Sequence, residues 1–511
     1  MMLEADLQLH APVPTFQAAG ELFTVVNPVT GETLARVPNA SADEVRAAAD
    51  RARAAQPAWA ALGVRDRARR VQRWADAMWR DRAEVMRHIR QETGKTDGSA
   101  FSEVAIVDAT AAYYAKIAPR ALRTRAVRTT FRLIHGARIA YHPFGVVGFL
   151  TPWNYPYLNL LIDVLPALIA GNACLIKPSE LTPLTAQYAI ERMHAAGIPP
   201  DVIQVVMGDA RTGAALVEVV DMIAVTGSTA TGRAVMRRAS ERLIPVTLEL
   251  GGKDPLIVLD DADPDLAARW TLIGGLENAG QACVSIERVY VVDAIYDRYM
   301  ERLLHHAAKL LCAPADGMHV DIGSLTGTRE LERTEAHIAD AVAKGAQVAF
   351  GGGRRPDLGR LFFDPTILTD VNHTMDVMRD ETFGPIVPIM RVRDEEDAIR
   401  LANDSPYGLM ANLFTSNLRR GQAVARRLQV GSVSINRAQL GFATPSAPMA
   451  GWKQSGVGAR NGIDGLLRFV QPQSIVTERI GITPPVLNHT DWLTVNAYRT
   501  IRVLKRWLPF V

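Results

Sequence analysis

Between residues 146 and 250 the chain repeats one phrase: a short run of consecutive apolar residues, then a longer stretch with helical spacing. The apolar runs are Val146–Thr151, Ala173–Lys177, Val202–Met207, Met222–Thr226 and Val246–Leu250. The stretches between them, Leu158–Ala170, Pro183–Ala196, Ala210–Val220 and Thr229–Ser240, suit helices. Strands without polar alternation are buried on both faces, and intervening helices are crossovers. The pattern therefore predicts a parallel, doubly wound α/β sheet. Ligands of such sheets collect at the carboxyl ends of the strands.

On the amino-terminal side, helical spacing predicts helices over Asp43–Gln56, Val64–Thr93 and Ser99–Ala118. Ser41 and Glu44 have the spacing of a capping box before the first. Around residues 131–141 the pattern turns extended, with Pro and Gly at its bounds. Beyond residue 250 the alternation resumes. Asp263-Pro264 opens a helix, Arg288–Val292, Val348–Phe350 and Val430–Asn436 read as strands, and Tyr296–Leu311 and Asp394–Asn403 as helices. The last residues place Arg499, Arg502, Lys505 and Arg506 on one side of a helix and Ile501, Leu504, Leu508 and Val511 on another. Such a basic amphipathic tail suits either an anionic membrane surface or docking on a subunit.

Composition changes this picture little. A length of 511 residues suggests about three domains. A hydrophobic share of 48% supports a large core, and a net charge of +3 gives no case for nucleic acid. Three cysteines without pairing or metal-type spacing favour a reducing cytoplasm and no bound metal. Neither a signal peptide nor a spanning helix is expected, since no long uninterrupted apolar run is present.

Candidate chemistry sits in two segments. In Gly280-Gln281-Ala282-Cys283 a thiol follows a glycine turn, and in Leu248-Glu249-Leu250-Gly251-Gly252 a carboxylate interrupts an apolar strand. A buried cysteine is ordinarily inert packing, whereas a carboxylate in an apolar strand is costly without a partner or a task. Each beside glycine, they are candidates for a nucleophile and a base. The strand ends add Thr151-Pro152-Trp153-Asn154, Lys177-Pro178-Ser179-Glu180 and Thr226-Gly227-Ser228, with Gly232 four residues later. The last opens a helix, whose free N–H groups suit a phosphate, although a plain strand-to-helix turn has the same letters.

These segments, with Glu381-Thr382-Phe383-Gly384-Pro385 and Gly451-Trp452-Lys453-Gln454-Ser455-Gly456, resemble the NAD(P)-dependent aldehyde dehydrogenase superfamily, of the hydrolytic type, from about Phe23 to Gln473. The resemblance implies a Rossmann-like cofactor domain (1–122 and 144–251), an α/β catalytic domain (252–447), a small β oligomerisation flap (123–143 and 467–484) and the tail 485–511. It implies Cys283 as nucleophile, Asn154 as oxyanion donor and Glu249 as the base for hydrolysis. Trp153, Lys177, Glu180, Gly227, Ser228, Gly232, Glu381 and Phe383 would bind NAD, with NADP as the other candidate. Tyr155, Asn159, Ile162, Ala282, Val284, Phe442 and Met449 would line a substrate tunnel suited to an aliphatic or aromatic aldehyde. A carboxylated substrate such as succinate semialdehyde is the alternative and would need a buried cation, for which Arg288 and Arg437 are candidates. A non-catalytic relative is the second alternative. A homodimer or homotetramer is expected.

Overall fold

The computed structural model describes residues 21–129, 135–314, 319–479 and, near the carboxyl end, 495–496, 498–500 and 502–503. The proposed amphipathic tail lies for the most part outside the described residues. Among these residues no helix is long and apolar enough to cross a membrane.

The repeated phrase folds as its pattern predicts. Strands β1 (Val146–Leu150), β2 (Ala173–Lys177), β3 (Ile203–Val205), β4 (Met222–Thr226) and β5 (Val246–Glu249) form a parallel sheet in the order 3-2-1-4-5. The chain winds outward in both directions from β1, so a crevice opens at the carboxyl ends of β1 and β4. Helices α1 (Leu158–Ala170), α2 (Pro183–Ala195), α3 (Ala210–Val217) and α4 (Thr229–Arg242) are the crossovers. A sixth strand comes from far along the chain. Gly456–Val457 pairs antiparallel with β5, setting Gly456 opposite Glu249. That edge contact brings the following residues to the base candidate.

A second sheet of seven strands runs in the order Gln347–Phe350, Thr366–Thr369, Ile386–Val392, Ile286–Val292, Asp254–Val258, Met410–Phe414 and Ser432–Ile435. All its pairings are parallel except the first. A third sheet joins Arg125–Val127, His135–Pro143 and Val470–Glu478, the last two antiparallel over nine residue pairs. The predicted helix 64–93 is two helices, Val64–Arg80 and Arg82–Thr93. Asp81 breaks it with φ −89° and ψ 17°, and no glycine or proline marks the place.

Three buried ion pairs tie distant segments together. Lys95 Nζ donates to Glu103 (2.6 Å) and to the carbonyl of Asn154 (2.7 Å). The other Glu103 oxygen accepts from the N–H groups of Tyr157 and Leu158 where α1 begins. Arg460 is bound by both carboxylate oxygens of Asp163 (2.7 and 3.0 Å). Lys253 meets Glu287 at 2.5 Å. Removing one partner of such a pair strands the other charge without water. Lys253→Met should therefore lower the free energy of unfolding by about 3–5 kcal/mol, measured by urea titration. A loss under about 1 kcal/mol would show Glu287 to be otherwise satisfied.

Candidate active site

Cys283 stands at the end of a tight turn. Asn278, Ala279 and Gly280 all take left-handed φ, at 53°, 54° and 74°. At Gly280 a Cβ would lie 2.1 Å from the carbonyl oxygen of Gly384, so only glycine fits. Side-chain amides hold the two non-glycine residues in this costly conformation. Asn278 donates to the carbonyls of Asn154 (2.9 Å) and Gln281 (3.2 Å), and Gln281 donates to the carbonyl of Asn278 (2.9 Å). The half-buried thiol emerges against the apolar cluster around α1.

Asn154 reaches the same turn from the end of β1. Its Nδ2 donates to the Gln281 carbonyl at 3.0 Å, and its Oδ1 accepts from Asn159 at 3.3 Å. An amide nitrogen has two protons, and one remains for another acceptor. Glu249 ends β5. Among the described residues neither of its carboxylate oxygens has a hydrogen-bond partner, although the side chain is buried. Burial raises its pKa to about 7; Arg460 and Arg468 pull it down and Asp163 pushes it up. The Cys283 thiol is pushed up to about 12, first by burial, with Arg460 opposing and Asp254, Glu381 and Glu249 adding to the rise.

One cavity of about 520 Å³ joins these three residues to the strand ends. Trp153, Asn159, Lys177, Glu180, Gly227, Ser228, Glu381 and Phe383 line it as well. Lys177 Nζ lies 3.5 Å from Glu180, whose side chain is half exposed. Ser228 caps α4, its Oγ accepting from the N–H of Thr231 at 3.2 Å. A Cβ added at Gly227 would meet nothing within 4 Å, so the cavity comes directly against that backbone. Across from it, Glu381 accepts from the N–H of Gly252 at 3.1 Å, and a Cβ on Gly251 would lie 2.4 Å from the same carboxylate. Burial raises the Glu381 pKa to about 7 as well. Phe383, at φ 57°, is fixed by Glu287, which accepts from the N–H groups of Thr382 and Phe383 (2.8 and 2.9 Å). Its ring stands edge-on to Trp153, with centroids 5.5 Å apart.

Some expected residues lie elsewhere. Gly232 does not line the cavity; a Cβ there would approach Leu250 to 2.6 Å, so its smallness lets α4 pack against the end of β5. Of the tunnel candidates only Asn159 lines this cavity. Tyr155, Ile162, Ala282, Val284, Phe442 and Met449 are buried together in the apolar cluster beside Cys283. Arg288 is spent on the structure: it donates to the carbonyls of Lys253, Leu401 and Ala402 and to Tyr290. Arg437 lies over the ring of Trp270, 5.4 Å from its centroid. The sequence reading missed Asp209, Arg238, Arg329 and Arg333 on the cavity wall, and Arg460 and Arg468 behind Glu249. The wall arginines lie on α4 (Arg238) and on the helix Thr328–Ala343 (Arg329 and Arg333).

The sequence model of the Aldehyde dehydrogenase family matches residues 16–475. The chain belongs to this family. A Mycolicibacterium smegmatis protein, provisionally named an NADP(+) succinate-semialdehyde dehydrogenase, is 39% identical over 91% of this chain and 90% of its own length. The 4,4'-diapolycopene aldehyde oxidase of a Methylomonas species is 38% identical over 89% of this chain and 86% of its own. Betaine aldehyde dehydrogenase of Staphylococcus aureus, solved with NAD+, superposes with a TM-score of 0.86 at 32% identity, over 92% of this chain and 94% of that one. This aldehyde dehydrogenase is thus an oxidoreductase acting on the aldehyde group, with a nicotinamide dinucleotide as its cofactor.

The raised thiol pKa has a direct consequence. In the resting enzyme Cys283 is protonated at neutral pH, and its thiolate fraction grows with pH up to about 12. Alkylation by iodoacetamide, with Cys283→Ala as blank, should keep accelerating beyond about pH 9, where an ordinary thiol levels off. A plateau between about pH 8 and 9 would contradict the burial argument.

Proposed function

We propose that the enzyme oxidises an apolar aldehyde to the carboxylic acid, with Cys283 as nucleophile, Asn154 as oxyanion donor and Glu249 as hydrolytic base. The observation that carries the reading is the meeting of these three side chains in one cavity with the strand ends. The Cys283 thiol gives up its proton, to Glu249 or to water in the cavity, as its sulfur bonds to the carbonyl carbon and the C=O π pair moves onto oxygen, making a tetrahedral thiohemiacetal. Its oxyanion would accept hydrogen bonds from the free N–H of Asn154 Nδ2 and from the backbone N–H of Cys283, and such a donor contributes about 3–4 kcal/mol. The nicotinamide, when bound, supplies the acceptor for the hydride that leaves the former aldehyde carbon. The thioester left on Cys283 is cleared by water. Glu249, with a pKa near neutrality and both oxygens unpaired, is suited to take that water's proton.

The cavity wall suits the cofactor. The N-terminus of α4 at Gly227 and Ser228 offers N–H groups to a pyrophosphate, with Trp153 beside it. On this reading Lys177 and Glu180 would hold the adenosine ribose hydroxyls, and Glu381 and Phe383 the nicotinamide ribose and ring; all four line the cavity. A carboxylate at Glu180 accepts from a 2′-hydroxyl and repels a 2′-phosphate, which favours NAD over NADP. The M. smegmatis relative is named for NADP, and the half-exposed side chain leaves Glu180 room to turn away.

The apolar surroundings of Cys283 and the commitment of Arg288 and Arg437 elsewhere favour an aliphatic or aromatic aldehyde. Succinate semialdehyde remains the second reading, on the name of that relative. The division into cofactor, catalytic and flap units given above belongs to this proposal. So does a homodimer or homotetramer built on the third sheet, whose strand Val470–Glu478 leaves Ile475 and Val476 exposed. All three cysteines are free, which suits the cytoplasm.

The test is NADH formation across alkanals, benzaldehyde and succinate semialdehyde, read at 340 nm. Cys283→Ala should abolish it. Glu249→Gln should keep a first-turnover burst of NADH while steady-state turnover falls by about 10²–10⁴. A variant that turns over undiminished would remove Glu249 from the mechanism. Glu180→Gln should lower the ratio of kcat/KM for NAD to that for NADP by about tenfold. An unchanged ratio would place cofactor choice elsewhere.

A further inference from the structure

We propose that Arg468 is a positioning residue for hydrolysis: its guanidinium, held by Asp163, faces Glu249 and stabilises its ionised form. The inference rests on the reading of Glu249 as hydrolytic base. Its geometry begins with the edge strand. Pairing of Gly456–Val457 with β5 delivers Arg460 beneath Glu249, and one short helix, Gly462–Leu467, then brings the chain back at Arg468. Arg468 is largely buried. Its Nη2 donates to Asp163 Oδ1, and its Nη1 stands 4.0 Å from Glu249 Oε1. That nitrogen and Nε have no hydrogen-bond partner among the described residues, and neither has either Glu249 oxygen. Donor and acceptor thus face each other just beyond bonding distance, with both otherwise unemployed.

Arg460 is placed differently. It is fully buried, and it spends its donors on both Asp163 oxygens, on Thr226 Oγ1 (2.6 Å) and on Asn159 Oδ1 (3.4 Å). Asp163, two arginines and an ionised Glu249 make a neutral set of four. Without Arg468 the set carries one excess negative charge in a site shielded from water, and the proton on Glu249 is then held more tightly. Other titratable groups facing the set are the Cys283 thiol and the Tyr114 hydroxyl, the latter packed where a Cβ on Gly465 would lie 2.4 Å away. Neither carries charge at neutral pH in the resting protein, since burial raises both.

The direction follows. Glu249 must be ionised to act as base, so hydrolysis falls as pH drops through its pKa. Loss of the Arg468 charge raises that pKa and moves the acid limb upward. Acyl-Cys283 would be formed in the complete enzyme with limiting aldehyde and NAD, and its decay followed by acid quench and mass spectrometry between about pH 5.5 and 9. For Arg468→Gln the midpoint of the acid limb should rise by about one unit, with the burst of NADH within about twofold of the parent. Arg468→Lys should return the midpoint toward that of the parent. The proposal is overturned if the Arg468→Gln profile superimposes on the parental one, if burst and decay fall together at every pH, or if lysine behaves like glutamine. Glu249→Gln measured alongside separates the two levels. Undiminished decay in that variant removes the base assignment itself, whereas slow decay with an unmoved Arg468→Gln limb removes only the role of Arg468.

Discussion

A carboxylate taken out of water with neither oxygen bonded costs several kcal/mol unless it gives up its charge or gains a counterion. Glu249 is held in that position at the end of β5, and much around it serves to make the position tenable. The neighbouring strand comes from more than two hundred residues further along, and behind it come Arg460 and Arg468, with Asp163 from α1 between them. Burial pulls the base toward its neutral form and the arginines pull it back, so it titrates near neutrality. The edge strand, the helix after it and α1 are therefore arranged around one proton.

The wall on the other side solves a related problem by different means. Glu381 is a partly buried carboxylate whose pKa is also raised to about 7, but it accepts a backbone N–H from Gly252. Space for it exists because residue 251 has no side chain. Phe383 takes a left-handed conformation that an aromatic residue rarely adopts, and Glu287 stabilises it from below while bound to Lys253. The buried ion pairs act here as fixed supports. Lys95–Glu103 sets the start of α1 and the carbonyl of Asn154, and Lys253–Glu287 sets the loop bearing Phe383.

What could be read from the letters follows from range along the chain. The five-stranded sheet was legible because its signal is local: apolar runs without alternation, separated by helical spacing. Cys283 and Glu249 stood out for the same reason, each beside glycines that break a pattern. The break at Asp81 was hidden because an aspartate with φ −89° leaves no mark in a run of good helix formers. The packing of Gly232 on Leu250 was hidden because a glycine near a helix start looks the same whether it faces a ligand or a leucine. Arg460 and Arg468 were invisible for a different reason. An arginine near the end of a chain reads as surface, and only pairing across the sheet shows that it lies against a carboxylate from β5.

The two raised pKa values also order the chemistry. A thiol near 12 is inert at neutral pH, so the resting cavity does not present a standing thiolate to passing electrophiles. A base near 7 is already partly ionised, ready for a water once a thioester occupies the sulfur. Acylation leaves the sulfur as uncharged as the protonated thiol was, so at neutral pH it does not alter the charge around Glu249. Ionisation of the base meets no repulsion from sulfur in either state, and the arginine pair is what offsets the burial of Glu249. The same buried surroundings thus restrain the nucleophile and hold back ionisation of the base; Arg460 opposes both restraints, and Arg468 adds its charge at Glu249.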